Sequence, residues 1–399
     1  MVPSVLALVL AAGAAASPLA RHIDTDADAH PQPYARRAPP RPCTTPLPLT
    51  NYGPDLTYAI TLSLGTPAQN LTFVVDTGSP DVWVLSSAVA GLSTGPGFDG
   101  AASSSFVGSS EEFHNVYGSG EVRGAWASDV VCLGSKCVRQ AFGVIDAPGP
   151  GVTFEGTPVA GVLGLDWGLP GREQVHAPLW RQLSQAWGDK QFGLRLSRGP
   201  TDYFGEPFAR AGAVGSSLTL GGLNRAQYAG TLHYIPLAGT TDFWRVALGG
   251  VRVAGRPVDT GALFAALDSG SSIISGHPAS VAALYAAVPG AWLSPGGRYF
   301  VPCDGVAGGS APRLGVGFVL GGREYALADA DAVLGAFGAA AFNGTAPGGT
   351  QLWCMGSIQP FYAWPDYLPP AFVLGIPFLK SWYSAYRLAP PAIGLARAV

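Results

Sequence analysis

Two aspartates occupy places where a carboxylate is costly. Asp76 closes the apolar run Phe73-Val74-Val75, and Asp268 closes Ala266-Leu267. Each opens a short polar segment, Asp76-Thr77-Gly78-Ser79 and Asp268-Ser269-Gly270-Ser271. A carboxylate at the end of an apolar strand tends to be hydrogen-bonded or neutralised. Two such groups brought together cannot both ionise easily, so they would share a proton and offer an acid and a base in one site. That pairing suits hydrolysis: one carboxylate takes a proton from a water molecule while the other protonates or hydrogen-bonds the carbonyl under attack. Gly78 and Gly270 permit a tight loop with close backbone approach. Thr77, Ser79, Ser269 and Ser271 supply hydroxyls to orient the carboxylates.

The elements that must carry these residues are short strands. Leu56 to Leu64 and Leu71 to Val75 are rich in β-branched and aromatic residues, and the turn cluster Gly65-Thr66-Pro67-Ala68-Gln69-Asn70 separates them. They read as a hairpin that delivers Asp76 at its end. Further strands are expected over Asp129–Cys132, Val138–Ile145, Ser217–Leu220, Trp244–Leu248, Gly317–Leu320 and Ala371–Leu374. Helices are expected only over Leu179–Trp187 and Pro278–Val288. Each Asp motif is followed later by an apolar-apolar-Gly run, Val162-Leu163-Gly164 and Val373-Leu374-Gly375, so the chain reads as two copies of one plan.

Composition agrees with an all-β reading. Hydrophobic residues make up 48 % of the 399 residues and charged ones 12 %, with 55 Gly and 35 Pro spread along the chain, the signature of many strands joined by tight turns. The length suits two lobes, 38–225 and 226–399, each with one Asp motif. Val5 to Ala16 is an apolar run too short to span a bilayer. It marks 1–17 as a signal peptide, although the start lacks a basic n-region. Residues 18–37 read as a short prosegment, with Arg36-Arg37 either a dibasic processing site or an ordinary exposed pair. Secretion is therefore expected. A net charge of −3, with no Lys/Arg run longer than Arg36-Arg37, argues against nucleic acid or an anionic membrane as partner.

Five cysteines in a secreted chain should mostly pair. Cys132 and Cys137 flank a four-residue hairpin loop, and Cys303 and Cys354 form the second expected pair, leaving Cys43 over. Asn70-Leu71-Thr72 and Asn343-Gly344-Thr345 match the glycosylation acceptor pattern.

The run from Tyr58-Ala59-Ile60 through Gly65-Thr66-Pro67-Ala68-Gln69 and Asp76-Thr77-Gly78-Ser79 to the C-terminus resembles the pepsin-like aspartic proteases over roughly residues 50 to 399. The resemblance implies two pseudo-twofold-related β lobes with few short helices and a central cleft that binds an extended peptide, with hydrophobic residues favoured around the scissile bond. It implies an acidic optimum, inhibition by pepstatin-like compounds, a monomer and no cofactor. Tyr117-Gly118-Ser119-Gly120 stands where the family has its flap, and Trp83 matches the residue whose indole pairs with the flap tyrosine. Phe154, Val162 and Leu163 are pocket candidates by rough register. Family members are secreted or vacuolar.

Departures from the family are also legible. Pro80 replaces a residue with a free N–H, and Ile376 and Ala160 stand where Asp is common. The prosegment is poor in Lys, the residue type that would hold a zymogen latent. Glu121 reads either as a charge that admits a basic substrate side chain or as a solvated hairpin residue. A non-catalytic binding or inhibitory protein of the same fold is the alternative reading, although the chain keeps both Asp and the flap tyrosine. Gly91-Leu92-Ser93-Thr94-Gly95 matches a nucleophile elbow but lies in a loop with no helix to follow. The six His are scattered at 22, 30, 114, 176, 233 and 277, so no metal site is expected.

Overall fold

Runs of Val, Ile, Phe, Tyr and Thr bounded by Gly and Pro fold here as strands, and only three short α-helices occur among the described residues: Leu179–Ser184, Pro278–Ala286 and Ile376–Leu379. The computed structural model describes residues 46–399 except 54, 90–91, 150–151, 153, 155, 169–175, 200–209, 212–214, 240–242, 304–312, 343–344, 348–351 and 367. The expected signal and prosegment, Cys43 and Asn343 lie outside the described residues. Two helices begin where the sequence places them and end two or three residues early. The third, Ile376–Leu379, is too short to show a helical period.

The first Asp strand runs Gln69–Asp76 and pairs with Thr57–Leu64 in an antiparallel hairpin and with Val159–Gly164 in parallel, with Asp76 opposite Gly164. Val82–Leu85 then returns antiparallel to Val159–Gly164. The second half repeats this arrangement. Phe264–Leu267 lies parallel to Ala371–Leu374, and Ile274–Gly276 returns antiparallel to it. The repeat read from the two Asp motifs is therefore a repeat of strand topology: in each half a later strand with an apolar-apolar-Gly run inserts beside the Asp strand and holds its end.

These two units belong to a nine-stranded and an eight-stranded sheet, and a six-stranded sheet joins them. In that joining sheet Gln191–Arg195 pairs with Trp382–Arg387, bringing Phe192 opposite Tyr386, so the C-terminal hairpin returns to strands from the first half. Shared pairing and shared core fix the two Asp loops relative to one another: Trp180, Phe192, Trp244 and Tyr386 pack ring against ring with centroids 4.7 to 5.9 Å apart.

Both expected disulfides are present, Cys132–Cys137 and Cys303–Cys354. The first joins directly opposed residues of a hairpin whose loop is the two residues Gly134 and Ser135, because Leu133 and Lys136 still pair. Gly134 takes φ +60°, which suits glycine in so tight a turn.

Candidate active site

Asp76 and Asp268 meet at the junction of the two halves, 0 % and 2 % exposed, close enough for each carboxyl group to influence the ionisation of the other. The loops behind them are tied reciprocally. Thr77 N–H donates to Ser269 Oγ (3.0 Å) and Ser269 N–H to Thr77 Oγ1 (2.9 Å). The two hydroxyls then donate across to the opposite strand, Thr77 to the Leu267 carbonyl (3.0 Å) and Ser269 to the Val75 carbonyl (2.7 Å). Thr77 and Ser269 thus bind the opposite loop rather than a carboxylate, a correction to the orienting role expected of them. A short hydroxyl beside the pseudo-twofold axis reaches the other backbone more easily than it can turn back on its neighbour.

The hydrogen bonds to the two carboxylates differ. Asp76 accepts from Gly78 N–H (2.8 Å) and from the Ser79 hydroxyl. Asp268 accepts from Gly270 N–H (2.8 Å), but Ser271, which occupies the place matching Ser79, donates to the Ile273 carbonyl (3.0 Å). Ser271 therefore gives Asp268 no support of the kind expected. Burial raises both pKa values; the bonds from Ser79 and Gly78 hold Asp76 back, whereas the charge of Asp76 adds to burial and pushes Asp268 well above the usual carboxylate value. Gly270 lies so close that a Cβ there would run into the Asp76 carboxylate, the physical reason for glycine at this position.

The expected flap is a hairpin of Val107–Tyr117 and Gly120–Leu133, turned at Gly118 and Ser119 with Tyr117 opposite Gly120. The Trp83 indole N–H donates to the Tyr117 hydroxyl at 2.6 Å, and both side chains are buried. Burial, aided by the charge of Asp76, raises the Tyr117 pKa, so the hydroxyl stays protonated. Phe154 packs on Trp83 with ring centroids 5.9 Å apart, and Val162 joins the same cluster. Leu163 does not. As the next residue of the strand it points to the opposite face and sits in the main core. Glu121 bonds His114 (2.9 Å) and Arg123 (3.2 Å) on the exposed hairpin, which favours the solvated reading over a pocket for basic side chains. Ala160 and Ile376 are packed in the apolar core, and Asn70 is exposed at a strand start.

Beside the dyad lies an open cavity of about 80 Å³ lined by Thr77, Gly78, Asp268, Phe243, Trp364 and Leu368 among others. Two buried groups escaped the sequence reading. Asp166 lines this cavity; it follows Val162-Leu163-Gly164-Leu165, so the test that picked out Asp76 and Asp268, an Asp closing an apolar run, would have found it. Lys380 bridges Asp55 (2.7 Å) and Asp331 (2.8 Å) in a buried ion cluster that also holds Arg198. Nothing in the local sequence pairs residues that far apart.

The chain matches the family model for eukaryotic aspartyl proteases over residues 57–398. It is 30 % identical over 384 residues to major aspartyl peptidase 1 of Cryptococcus neoformans, covering 91 % of this chain and 73 % of that protein. It is 29 % identical over 345 residues to vacuolar protease A of Aspergillus fumigatus, covering 86 % and 79 %. Against napsin-A of Homo sapiens the identity is 31 % over 376 residues, covering 90 % and 82 %.

Proposed function

The chain belongs to the eukaryotic aspartyl protease family, and from that premise we propose that it is an aspartic endopeptidase in which Asp76 is the base and Asp268 the acid. The observation that carries the assignment is the unequal bonding of the two carboxylates. Asp76 accepts from Ser79 and Gly78 and is the more easily ionised; Asp268 lacks the matching hydroxyl and faces the charge of Asp76, so it keeps the shared proton.

In the first step Asp76 takes a proton from a water molecule whose oxygen attacks the peptide carbonyl carbon, while Asp268 gives its proton to the carbonyl oxygen. The product is a neutral tetrahedral diol. In the second step the proton on Asp76 passes to the amide nitrogen as the C–N bond breaks, and a diol proton returns to Asp268, restoring the one-proton dyad. Tyr117, held by Trp83, caps the site and helps exclude bulk water.

An extended peptide with hydrophobic residues around the scissile bond fits the apolar lining supplied by Phe243, Trp364 and Leu368. Since both carboxylates come from one chain, a monomer suffices. The apolar run at residues 5–16 and the two disulfides support a secreted enzyme, with a vacuolar one as the alternative. Residues 18–37 are proposed as the prosegment, 38–225 and 226–399 as the lobes, and Asn343 and Asn70 as glycosylation acceptors.

The test is digestion of a denatured protein at about pH 4, near the model carboxyl pKa, with and without pepstatin, alongside Asp76→Asn and Asp268→Asn. Pepstatin-sensitive cleavage lost in both variants supports the assignment. Folded wild-type protein that does not cleave would overturn it in favour of a non-catalytic binding protein.

A further inference from the structure

Asp166 is wholly buried just beyond the strand Val159–Gly164. Its own N–H donates to the Ser79 carbonyl (3.0 Å), and the preceding Leu165 N–H donates to the Asp76 carbonyl (2.7 Å), so the residue is fastened to the loop that carries the first dyad carboxylate. Its side chain reaches the other half of the molecule. Oδ1 accepts from Trp167 N–H (2.8 Å) and from Trp244 N–H (3.1 Å), and the Trp244 indole returns a bond to the Leu165 carbonyl (2.8 Å). Phe243, Trp244 and Arg245 line the cavity shared with Thr77, Gly78 and Asp268.

We propose that Asp166 is a positioning residue for the dyad: it ties the Asp76 loop to the Phe243–Arg245 wall of the cavity, and its carboxylate adds a negative charge to the cavity that Asp268 also lines. The inference rests on the proteolytic reading above. The two functions are separable by chemistry. An amide oxygen could accept from Trp167 and Trp244 as a carboxylate oxygen does, so these two bonds do not require a negative charge. The charge acts on Asp268, which is pushed up by burial first, then by Asp76, and further by Asp166. The charged and titratable groups around Asp166, among the described residues, are Asp76 and Asp268 on the dyad loops, Tyr386 on Trp382–Arg387, Arg245 at the start of its strand, and Arg181 on Leu179–Ser184. Arg181 lies 5.6 Å over the Trp167 ring and bonds the Trp167 carbonyl.

The experiment measures kcat/KM of wild type, Asp166→Asn and Asp166→Ala on one peptide from pH 3 to 8, with the thermal midpoint of each protein over the same range. Asp166→Asn is expected to stay within about threefold of wild type at the acidic optimum, with its alkaline limb moved to lower pH. Asp166→Ala, which leaves Trp244 N–H without its acceptor, is expected to lose about tenfold at every pH as well. An Asp166→Asn alkaline limb coincident with wild type overturns the role of the charge, and an Asp166→Ala optimum equal to that of Asp166→Asn overturns the positioning. If wild type cleaves at no pH, the proteolytic reading fails and the thermal midpoints decide the charge coupling alone. A smaller alkaline fall in Asp166→Asn than in wild type supports it, and equal falls overturn it.

Discussion

Trp83 donates its indole N–H to the Tyr117 hydroxyl at 2.6 Å, joining the strand that follows the first Asp loop to the end of the flap hairpin. The bond is buried, and among the described residues the hydroxyl otherwise accepts only from the Asn115 side-chain amide, at 3.4 Å, so either partner is sensitive to change. Tyr117→Phe leaves the indole N–H without its acceptor and frees the flap. It is expected to lower kcat/KM about tenfold with a stability cost of about 1 kcal/mol, read by peptide hydrolysis and urea unfolding. Unchanged kcat/KM would show that the bond does not position the flap.

The dyad should make the protein more stable in acid than at neutral pH. Both carboxyls have folded-state pKa values raised, chiefly by burial, so the folded state holds protons the unfolded chain releases. Their contribution is fully present below the unfolded carboxyl range and is lost as pH rises through the folded values. Asp268→Asn cannot ionise there. Its thermal midpoint at pH 7 is expected to exceed that of wild type by on the order of 2–4 °C, with little difference at pH 4, while activity disappears. Equal midpoints at both pH values would contradict the sign.

Asp55 carries the opposite slope. Burial alone would raise its pKa, but the charge and hydrogen bond of Lys380, with bonds from Gly199 and Asn51, lower it overall. Stability from this group is present above the unfolded carboxyl pKa and lost as pH falls through the folded one. Lys380→Met leaves Asp55 and Asp331 buried without their ammonium partner, at an expected cost of about 3–5 kcal/mol at pH 6. Chemical denaturation at pH 6 and pH 3 should show a smaller deficit at the lower pH.

The disulfides should contribute unequally. Cys303 and Cys354 are 51 residues apart and Cys132 and Cys137 only 5. Loop-closure entropy gives the longer bridge about 4 kcal/mol and the shorter one appreciably less. Replacing each pair with serine and comparing unfolding midpoints tests the order; equal losses would point to strain or residual structure instead.

Much of the site was legible because its parts are local. An Asp closing Phe73-Val74-Val75, a glycine two residues on, and a tyrosine before Gly118-Ser119-Gly120 are each visible in a window of a few residues, since strands and tight turns are set by near neighbours. The roles of the hydroxyls were misread for the complementary reason. Thr77, Ser269 and Ser271 look equivalent to Ser79 in sequence, yet their partners are the Leu267, Val75 and Ile273 carbonyls, and the first two of these lie nearly half the chain away.

The amino-acid sequence by itself determined the all-β character, the twofold repeat, the places of the two carboxylates and the close Cys132–Cys137 pair, because alternation, turn chemistry and motif spacing act over short stretches. Only the tertiary structure decided that Asp76 and not Asp268 receives a serine hydroxyl bond, that Asp166 joins the dyad loop to the far wall of the cavity, and that Lys380 sits between Asp55 and Asp331. Charge and hydrogen bonding depend on distance in space, and the packing of two halves around one shared sheet sets those distances.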